Sequence, residues 1–114
     1  MERMNELGFY TLAGAPQTPR ELIAEVQQAE ALGLGSAFIS ERFNIKEAAT
    51  LSGAVGAISS EIGIATAATN HNTRHPMVTA AYAMTMHRLT GGRFSLGLGR
   101  GIGPIFDAFG LPRI

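Results

Sequence analysis

The stretch that decides the fold is Leu7–Ser40, LGFYTLAGAPQTPRELIAEVQQAEALGLGSAFIS. It begins with a short run of aromatic and bulky residues, Leu7–Leu12, which predicts a strand. Thr18–Glu21 then combines a capping box with proline at the first helical position. Apolar residues follow at helical spacing until Gly33, a natural helix stop, and Ala37–Ser40 predicts a second strand. The stretch therefore predicts one βαβ unit.

The same alternation of strand and helix signals continues along the chain. The further signals are, in order, a weak helix start at Asn44 and Glu47, a strand at Ile62–Ala67, a helix opened by Pro76 with one apolar face (Met77, Ala80, Ala81, Met84), a stop at Thr90–Gly92, and a strand at Phe94–Leu98. The helical spacing of Met77, Met84 and Met86 predicts core or interface packing for these three side chains. The four strands begin near residues 7, 36, 62 and 94, so their separations are 29, 26 and 32 residues. We therefore expect parallel strands in the order 1-2-3-4 with the helices on one side.

Two architectures contain four such units: an open doubly wound sheet and part of a (β/α)8 barrel. A complete barrel needs about 250 residues, and the 114 residues of this chain are close to half of that number. We therefore expect the chain to be a piece of a longer protein.

Charge and composition exclude several classes of protein. Nine Lys and Arg balance nine Asp and Glu, which argues against a nucleic-acid binder and against a polybasic membrane segment. The absence of cysteine excludes disulfides, thiolate metal sites and cysteine nucleophiles. No apolar run reaches the roughly 18 residues of a membrane span, and residues 1–6 lead into no signal-type core. We expect a cytoplasmic protein.

Both architectures bind ligands at the carboxyl ends of their strands. Polar and charged residues concentrate there after strand two, in Glu41–Asn44, and after strand three, in Ala68–His75. After strand four, the glycines of Gly97–Gly103 fit neither the dinucleotide fingerprint nor the Walker pattern. They permit either close approach of a flat ligand or tight packing within a barrel. The sequence thus predicts a site at this edge of the sheet.

A metal site is not expected in this chain. His71 and His75 are four residues apart, but Pro76 indicates that the helix starts only after them. No carboxylate or third ligand lies nearby in the sequence.

Four segments occur in a characteristic order: Gly8–Tyr10, Ala29–Glu41, Thr73–Pro76 and Thr90–Gly101. Their most specific parts read Thr-Arg-His-Pro and Gly-Gly-Arg-Phe-Ser-Leu-Gly-Leu-Gly. Together they resemble the N-terminal half of the bacterial luciferase-like flavin and deazaflavin oxidoreductases, and the resemblance covers nearly all of the chain. It implies an α/β fold in which residues 1–114 form the N-terminal half of a single TIM (β/α)8 barrel domain.

The resemblance also implies FMN or the deazaflavin coenzyme F-420 at the mouth of the barrel. The reaction would move a hydride, or let reduced flavin react with oxygen, on a small organic substrate; the Glu-Arg-Phe-Asn end of strand two favours F-420. The resemblance implies catalytic roles for Glu41 and Arg42, a non-prolyl cis peptide at Ala67–Ala68, and coenzyme contacts from Ala67, Ala68, Thr69, Asn70, Gly99 and Arg100.

Arg42 departs from the family pattern, because many members carry a histidine at that position. Its guanidinium stays protonated, so it cannot act as a base near neutral pH. We expect it to hold an anionic reduced ring, a phosphate or a substrate carboxylate, with Glu41 orienting the guanidinium. Ile102 and Ile105 replace polar contacts of some F-420-dependent members. The acid/base group is therefore left unassigned.

Two functions of different class remain open. The first is an oxidoreductase that is a homodimer in its full-length form and acts on a small molecule, without nucleic-acid or membrane partners. The second is a non-catalytic half-barrel, which acts in assembly or has no activity; the lack of an evident base supports it. The isolated 114 residues are expected to bind coenzyme poorly, because the phosphate-binding loops of such barrels usually follow strands seven and eight.

Overall fold

A sheet of four parallel strands organises the protein, and a computed structural model describes residues 2–112 of the chain. The elements are β1 (Met4–Tyr10), α1 (Glu21–Ala31), β2 (Leu34–Ile39), α2 (Ala48–Ile58), β3 (Gly63–Thr66), β4 (Thr69–Asn70), α3 (Pro76–Leu89), β5 (Phe94–Ser95), β6 (Leu98–Gly99) and α4 (Gly103–Ala108). Residues 1, 113 and 114 of the predicted domain lie outside the described residues.

The main sheet has the strand order β1-β2-β3-β5, and each neighbouring pair is parallel. In register, Tyr10 pairs with Phe38, Ala37 with Ile64, and Ile64 with Phe94. The predicted order and direction of the strands are therefore confirmed. As a result, the carboxyl ends of the strands meet along one edge, which is the arrangement of a partial (β/α)8 barrel.

Predicted strands three and four are each interrupted rather than continuous. β4 and β6 continue them beyond the main sheet and pair in parallel. The peptide bond between Ala67 and Ala68 is cis, as predicted for this position. At the break, the Thr66 hydroxyl donates to the Gly97 carbonyl (2.9 Å) and accepts from the Gly97 amide (2.7 Å). A Cβ at position 97 would overlap the Thr66 carbonyl oxygen, so this close approach requires glycine.

The first two helices begin in different ways. One bond of the predicted capping box forms, since the Thr18 amide donates to the Glu21 carboxylate at 3.1 Å. The predicted start of the helix at Thr18 and Pro19 is wrong, because α1 begins at Glu21 with Arg20 as its N-cap and without a side-chain cap. The predicted start of α2 at Asn44 is wrong, because Asn44 has a positive φ of 61° and lies in the preceding turn. Glu47 caps α2 instead, and its carboxylate accepts from the Thr50 amide at 2.7 Å. The acidic residue thus acts as the cap itself.

The third helix, α3, starts at Pro76 as predicted, and its 14 residues make it the longest helix in the described part of the chain. Met86 is buried, but Met77 and Met84 are 71% and 60% exposed. Core packing is therefore confirmed for Met86, which faces α2, and wrong for Met77 and Met84, which lie on the opposite side of α3. Interface packing of Met77 and Met84 stays a prediction. No helix within residues 2–112 has both the length and the apolar character needed to cross a bilayer.

One face of the main sheet carries the hydrophobic core. Its buried residues, contributed by β2, β3, α1, α2 and adjoining turns, include Leu22, Val26, Ala29, Ala37, Ile39, Leu51, Val55, Ile62 and Ile64. Side chains alternate between the faces of a strand, and Tyr10 and Phe38 on the second face are 44% and 37% exposed. The helices thus lie on one side, as predicted. The open face corresponds to the interior of a barrel.

Candidate functional site

A cavity of about 500 Å³ lies at the carboxyl ends of β2, β3 and β6. Such a volume is typical of small-molecule sites, which range over roughly 300–1,000 Å³. Its apolar wall comes mostly from α4 and the residues that flank it, namely Ile102, Ile105, Phe106, Phe109 and Leu111. The ring of Phe43, in the loop after β2, lies 4.9 Å from that of Phe109 and joins this wall to the main sheet.

The opposite side of the cavity is formed by backbone and short polar side chains. Ala68 and Gly99 face each other there, and a Cβ at position 99 would lie 3.4 Å from that of Ala68. Ser40, Thr69 and Asn70 line the adjoining edge and are all buried. A flat group can therefore lie against Ala68 and Gly99 while its polar edge reaches hydroxyl and amide groups.

Arg74 organises the charged part of the site. Its Nη1 donates to Glu41 Oε1 at 2.8 Å and to the Thr69 hydroxyl at 2.9 Å, while Nη2 donates to Glu47 at 2.6 Å. The Thr69 hydroxyl in turn donates to Glu41. The side chains of Arg74 and Glu41 are only 13% and 19% exposed. Glu41 is thus fixed at the cavity edge by an arginine from the next loop.

Burial alone would lower the pKa of Arg74, but hydrogen bonds to Glu47 and Glu41 outweigh it and raise the pKa above its ordinary value. Burial would likewise raise the pKa of Glu47, whereas hydrogen bonds from the Thr50 amide and from Arg74 lower it. Both shifts stabilise the charged forms. The network is therefore an ion-paired unit at neutral pH.

Asn70 shapes the loop that carries Arg74. Its Oδ1 accepts from the amides of Asn72 and Thr73 at 3.0 and 2.9 Å, an arrangement typical of an Asx turn. The Asn72 side chain then donates to the Arg100 carbonyl at 2.8 Å. The loop after β4 is thus tied to the loop after β6, on the far side of the cavity.

Arg42 lies outside this network. Its Nη1 donates to the Gly14 carbonyl at 2.6 Å, and its backbone forms an isolated bridge with Lys46. The expectation that Glu41 orients Arg42 is therefore wrong. Because the two residues are adjacent in sequence, their side chains point in different directions. The Glu41 carboxylate accepts a hydrogen bond from Arg74 instead.

The structure brings together most of the predicted site residues. Five of them line the cavity: Glu41, Ala68, Thr69, Asn70 and Gly99. Ala67 lies behind it, where its amide donates to the Ile39 carbonyl at 2.6 Å. Arg100 contributes its carbonyl to the loop contact with Asn72. Arg42 borders a separate, shallower cleft beside the main cavity.

Sequence reasoning missed Arg74 and a second cluster beside the cavity. The position of Arg74 in the polar stretch after strand three was a usable signal. In the second cluster, the hydroxyls of Tyr10 and Ser40 share a hydrogen bond of 2.6 Å. The Lys46 ammonium lies 3.9 Å from the centroid of the Tyr10 ring. Nothing in the sequence links these three residues, because they meet only when the ends of β1 and β2 lie side by side.

Within residues 2–112, no group of three or more His, Cys, Asp or Glu side chains is arranged to hold a metal ion. His75 instead caps α3, where its Nδ1 accepts from the Met77 amide at 3.0 Å.

Comparison with known proteins finds that the chain is similar to luciferase-like enzymes. The family model for luciferase-like monooxygenases matches residues 5–113. The chain is 32% identical over 109 residues to the 5,10-methylenetetrahydromethanopterin reductase of Methanopyrus kandleri, an alignment that covers 96% of this chain and 31% of the reductase. The chain therefore spans less than a third of the length of this curated relative.

Two solved structures are similar to the described fold. The coenzyme F-420-dependent tetrahydromethanopterin reductase of Methanopyrus kandleri matches with a TM-score of 0.73 and 30% identity, over 93% of this chain and 29% of that one. The oxygenating constituent of 3,6-diketocamphane monooxygenase from Pseudomonas putida, in complex with FMN, matches with a TM-score of 0.76 and 26% identity, over 90% of this chain and 32% of that one.

Proposed function

Because the chain belongs to the luciferase-like monooxygenase family, we propose that its cavity is the ring site of an oxidoreductase that uses coenzyme F-420 or FMN. The observation that carries the proposal is the cavity at the carboxyl ends of the strands, where Ala68 and Gly99 leave room for a flat ring. The substrate class is a small organic molecule. We assign the activity to the complete barrel, of which residues 1–114 form the N-terminal half.

The residues present fit such a coenzyme. The apolar wall of α4 and the methyl of Ala68 suit the two faces of an aromatic ring system. Thr69 and Asn70 offer hydroxyl and amide groups at one edge, and Gly99 with the Arg100 backbone borders the other. Ala67 supports Ala68 from behind through its bond to Ile39. These are the six coenzyme contacts proposed for this half of the barrel.

When bound, the coenzyme would supply two-electron chemistry, either hydride transfer or activation of oxygen. The chain itself would position the reactants. Glu41, locked by Arg74 and Thr69, presents a carboxylate of fixed orientation at the cavity edge. Arg42 provides a permanent positive charge at the mouth, held by the Gly14 carbonyl. The wall of α4 excludes water from one side of the cavity, which strengthens electrostatic interactions inside it.

We favour coenzyme F-420 over FMN. The similar F-420-dependent reductase is 30% identical to this chain, and the similar FMN-containing monooxygenase is 26% identical. The Glu-Arg-Phe-Asn end of strand two also favours the deazaflavin branch. FMN is the alternative. With F-420, hydride transfer rather than oxygenation would be the reaction.

A visible-range titration of each coenzyme tests the proposal, using the protein made from the complete reading frame that encodes this chain. We expect saturable binding in the micromolar range or tighter. Ala68→Phe should abolish it by filling the ring site, whereas Ala57→Phe on the exposed side of α2 should not. If neither coenzyme binds, the oxidoreductase proposal fails and a non-catalytic half-barrel becomes the better account.

We further propose that the complete protein is a cytoplasmic homodimer. The exposed apolar side of α3 supports self-association, since Met77, Val78 and Met84 are each at least half exposed there. The mass of the protein in solution, measured by light scattering, would test this assignment.

A further inference from the structure

A cluster of three residues beside the cavity has no part in the functions proposed above. Tyr10, Ser40 and Lys46, here called the tyrosine cluster, meet at the carboxyl ends of β1 and β2. Ser40 lines the cavity, and its hydroxyl lies 2.6 Å from that of Tyr10. Tyr10 itself lies behind Ser40, on the open face of the sheet, and is 44% exposed. The two hydroxyls therefore link the cavity to the end of β1.

Lys46 brings a buried positive charge to this cluster. The residue is only 6% exposed, and its ammonium donates to the carbonyls of Thr11 and Leu12 at 2.8 and 3.4 Å. None of the salt bridges formed within residues 2–112 involves it. Its charge is therefore not neutralised by a carboxylate. The Lys46 ammonium lies over the ring of Tyr10, so its positive charge favours the ionised form of the Tyr10 phenol.

The surroundings of Tyr10 favour its ionised form. Its pKa lies below the ordinary value of 10.0, chiefly because of its interaction with Lys46 and then because of the hydrogen bond with Ser40. The charged groups that act on it are Lys46 and Arg42, and both are positive. Glu41, the nearest carboxylate in sequence to Ser40, is paired with Arg74 instead.

We propose that Tyr10 is the proton donor of the reaction and that the Ser40 hydroxyl passes the proton to substrate in the cavity. This inference rests on the proposed function, which left the acid/base group unassigned. In it, Ser40 is the catalytic residue that touches substrate, and Tyr10 acts through it. Lys46 stabilises the phenolate that proton donation leaves behind. A neighbouring ammonium lowers the pKa of a phenol and so makes it a stronger general acid.

In the proposed step, a polarised C=O or C=N bond of the substrate is reduced. The reduced coenzyme, when bound, would supply the hydride that forms the new C–H bond at carbon, while the π bond breaks and its electron pair moves to the heteroatom. That heteroatom takes the proton of Ser40, and Ser40 takes the proton of Tyr10. The substrate gains two electrons and the coenzyme loses two. The phenolate is then reprotonated by water.

The tyrosinate absorbance of the coenzyme-free protein tests the chemistry of the cluster directly. Difference spectra between the wild type and each variant assign the transitions of the two tyrosines in this chain, Tyr10 and Tyr82. We expect Tyr10→Phe to remove a transition below the ordinary tyrosine range, and Lys46→Met to move that transition upwards. Tyr82→Phe is the matched control, because burial raises the pKa of Tyr82 and its transition lies above that range. A Tyr10 transition at the ordinary value, or one indifferent to Lys46→Met, would overturn the inference.

Steady-state kinetics on the protein from the complete reading frame tests the role. Tyr10→Phe and Ser40→Ala should each lower kcat by about 10²-fold or more, as expected for a lost general acid. Because Tyr10 does not line the cavity, Tyr10→Phe should leave coenzyme affinity unchanged. Lys46→Met should shift the acidic group in the pH profile of kcat towards higher pH. If the wild type binds coenzyme and turns over but Tyr10→Phe does so equally, only this inference fails. If the wild type neither binds nor turns over, the proposed function fails and the role of Tyr10 fails with it.

Discussion

At the amino ends of the strands, Arg93 and Glu30 bind mainly backbone groups, whereas at the carboxyl ends Arg74 binds other side chains. Arg93, just before β5, donates to three carbonyls and one hydroxyl at 2.7–3.1 Å. Glu30 accepts from three consecutive amides, residues 60–62, at 2.7–2.9 Å. At the opposite edge, Arg74 joins the side chains of Glu41 and Thr69 beside a cavity.

This difference separates stability from function along one sheet. Backbone groups have no alternative conformation once the loops are formed, so Arg93 and Glu30 fix the α2–β3 and α3–β5 connections. Arg74 instead fixes two other side chains, Glu41 and Thr69, at the edge of the cavity. In parallel (β/α) architectures the carboxyl ends of the strands carry the chemistry and the amino ends carry stability. The following substitutions test that division, from the largest expected effect to the smallest.

Arg93→Met should lower the free energy of unfolding by about 3 kcal/mol, because four hydrogen bonds to a charged donor are lost and carbonyls are left unpaired. Urea unfolding would measure this loss. Arg88→Met, at an exposed position of α3, is the control and should change stability by less than about 0.5 kcal/mol. If Arg93→Met weakens coenzyme binding and leaves stability unchanged, the assignment of stability to the amino ends of the strands is wrong.

Arg74→Met should affect coenzyme binding more than it affects stability. We expect coenzyme affinity to fall about thirtyfold, or about 2 kcal/mol, because Glu41 and Thr69 lose the group that fixes them at the cavity edge. The loss of stability should be smaller than for Arg93→Met. Equilibrium titration would measure the affinity.

Glu47→Gln supplies the matched control for the Arg74 network. Glu47 is the other carboxylate partner of Arg74, but its side chain is 49% exposed and does not line the main cavity. We expect its substitution to leave coenzyme affinity nearly unchanged. An equal loss of affinity in both variants would mean that the network acts by holding α2, not by shaping the cavity.

The repeated βα units could be predicted because each strand and helix carries its own periodicity and stop signals. Both the parallel order and the position of Pro76 at the start of α3 follow from such local signals. The splitting of strands three and four could not, since the two-residue strands β4 and β6 are too short to show a period. The exposed stripe of α3 was misread because periodicity indicates an apolar face but not the surface that covers it.

The sequence predicted a site residue correctly only where its position at the end of a strand is enough to place it in the cavity. Glu41, Ala68, Thr69, Asn70 and Gly99 follow strand ends, and they do line the cavity. The partners of these residues depend on neighbouring strands, so pairings between side chains could not be read from the chain. Adjacency favoured Arg42 as the partner of Glu41, and the fold supplies Arg74 instead, from 33 positions away.

Substitutions of Arg42 test whether this residue takes part in the function that we assign to the carboxyl ends of the strands. If its fixed charge serves a reduced ring or a substrate anion, Arg42→Ala should lower kcat/KM by about tenfold, or about 1.4 kcal/mol. Arg42→Lys should rescue poorly where planar contact matters. Steady-state kinetics on the protein from the complete reading frame would measure both. If both variants keep wild-type turnover, Arg42 only ties the β2–α2 loop to Gly14, and the edge is organised by Arg74 alone.

Glu30→Gln should have the smallest effect on stability of these substitutions, and its dependence on pH has a defined direction. Burial would raise the pKa of Glu30, but the three amides outweigh it and hold the pKa below the ordinary 4.5. The charged form therefore stabilises the fold fully above the unfolded pKa, and this contribution is lost as pH falls through the lower, folded pKa. Glutamine keeps an oxygen acceptor but loses the charge, so the variant should be about 1 kcal/mol less stable at neutral pH. The gap between wild type and variant should close in acid, and urea unfolding over that pH range would follow it. A gap that persists at low pH would show that the loop recognises side-chain shape and not charge.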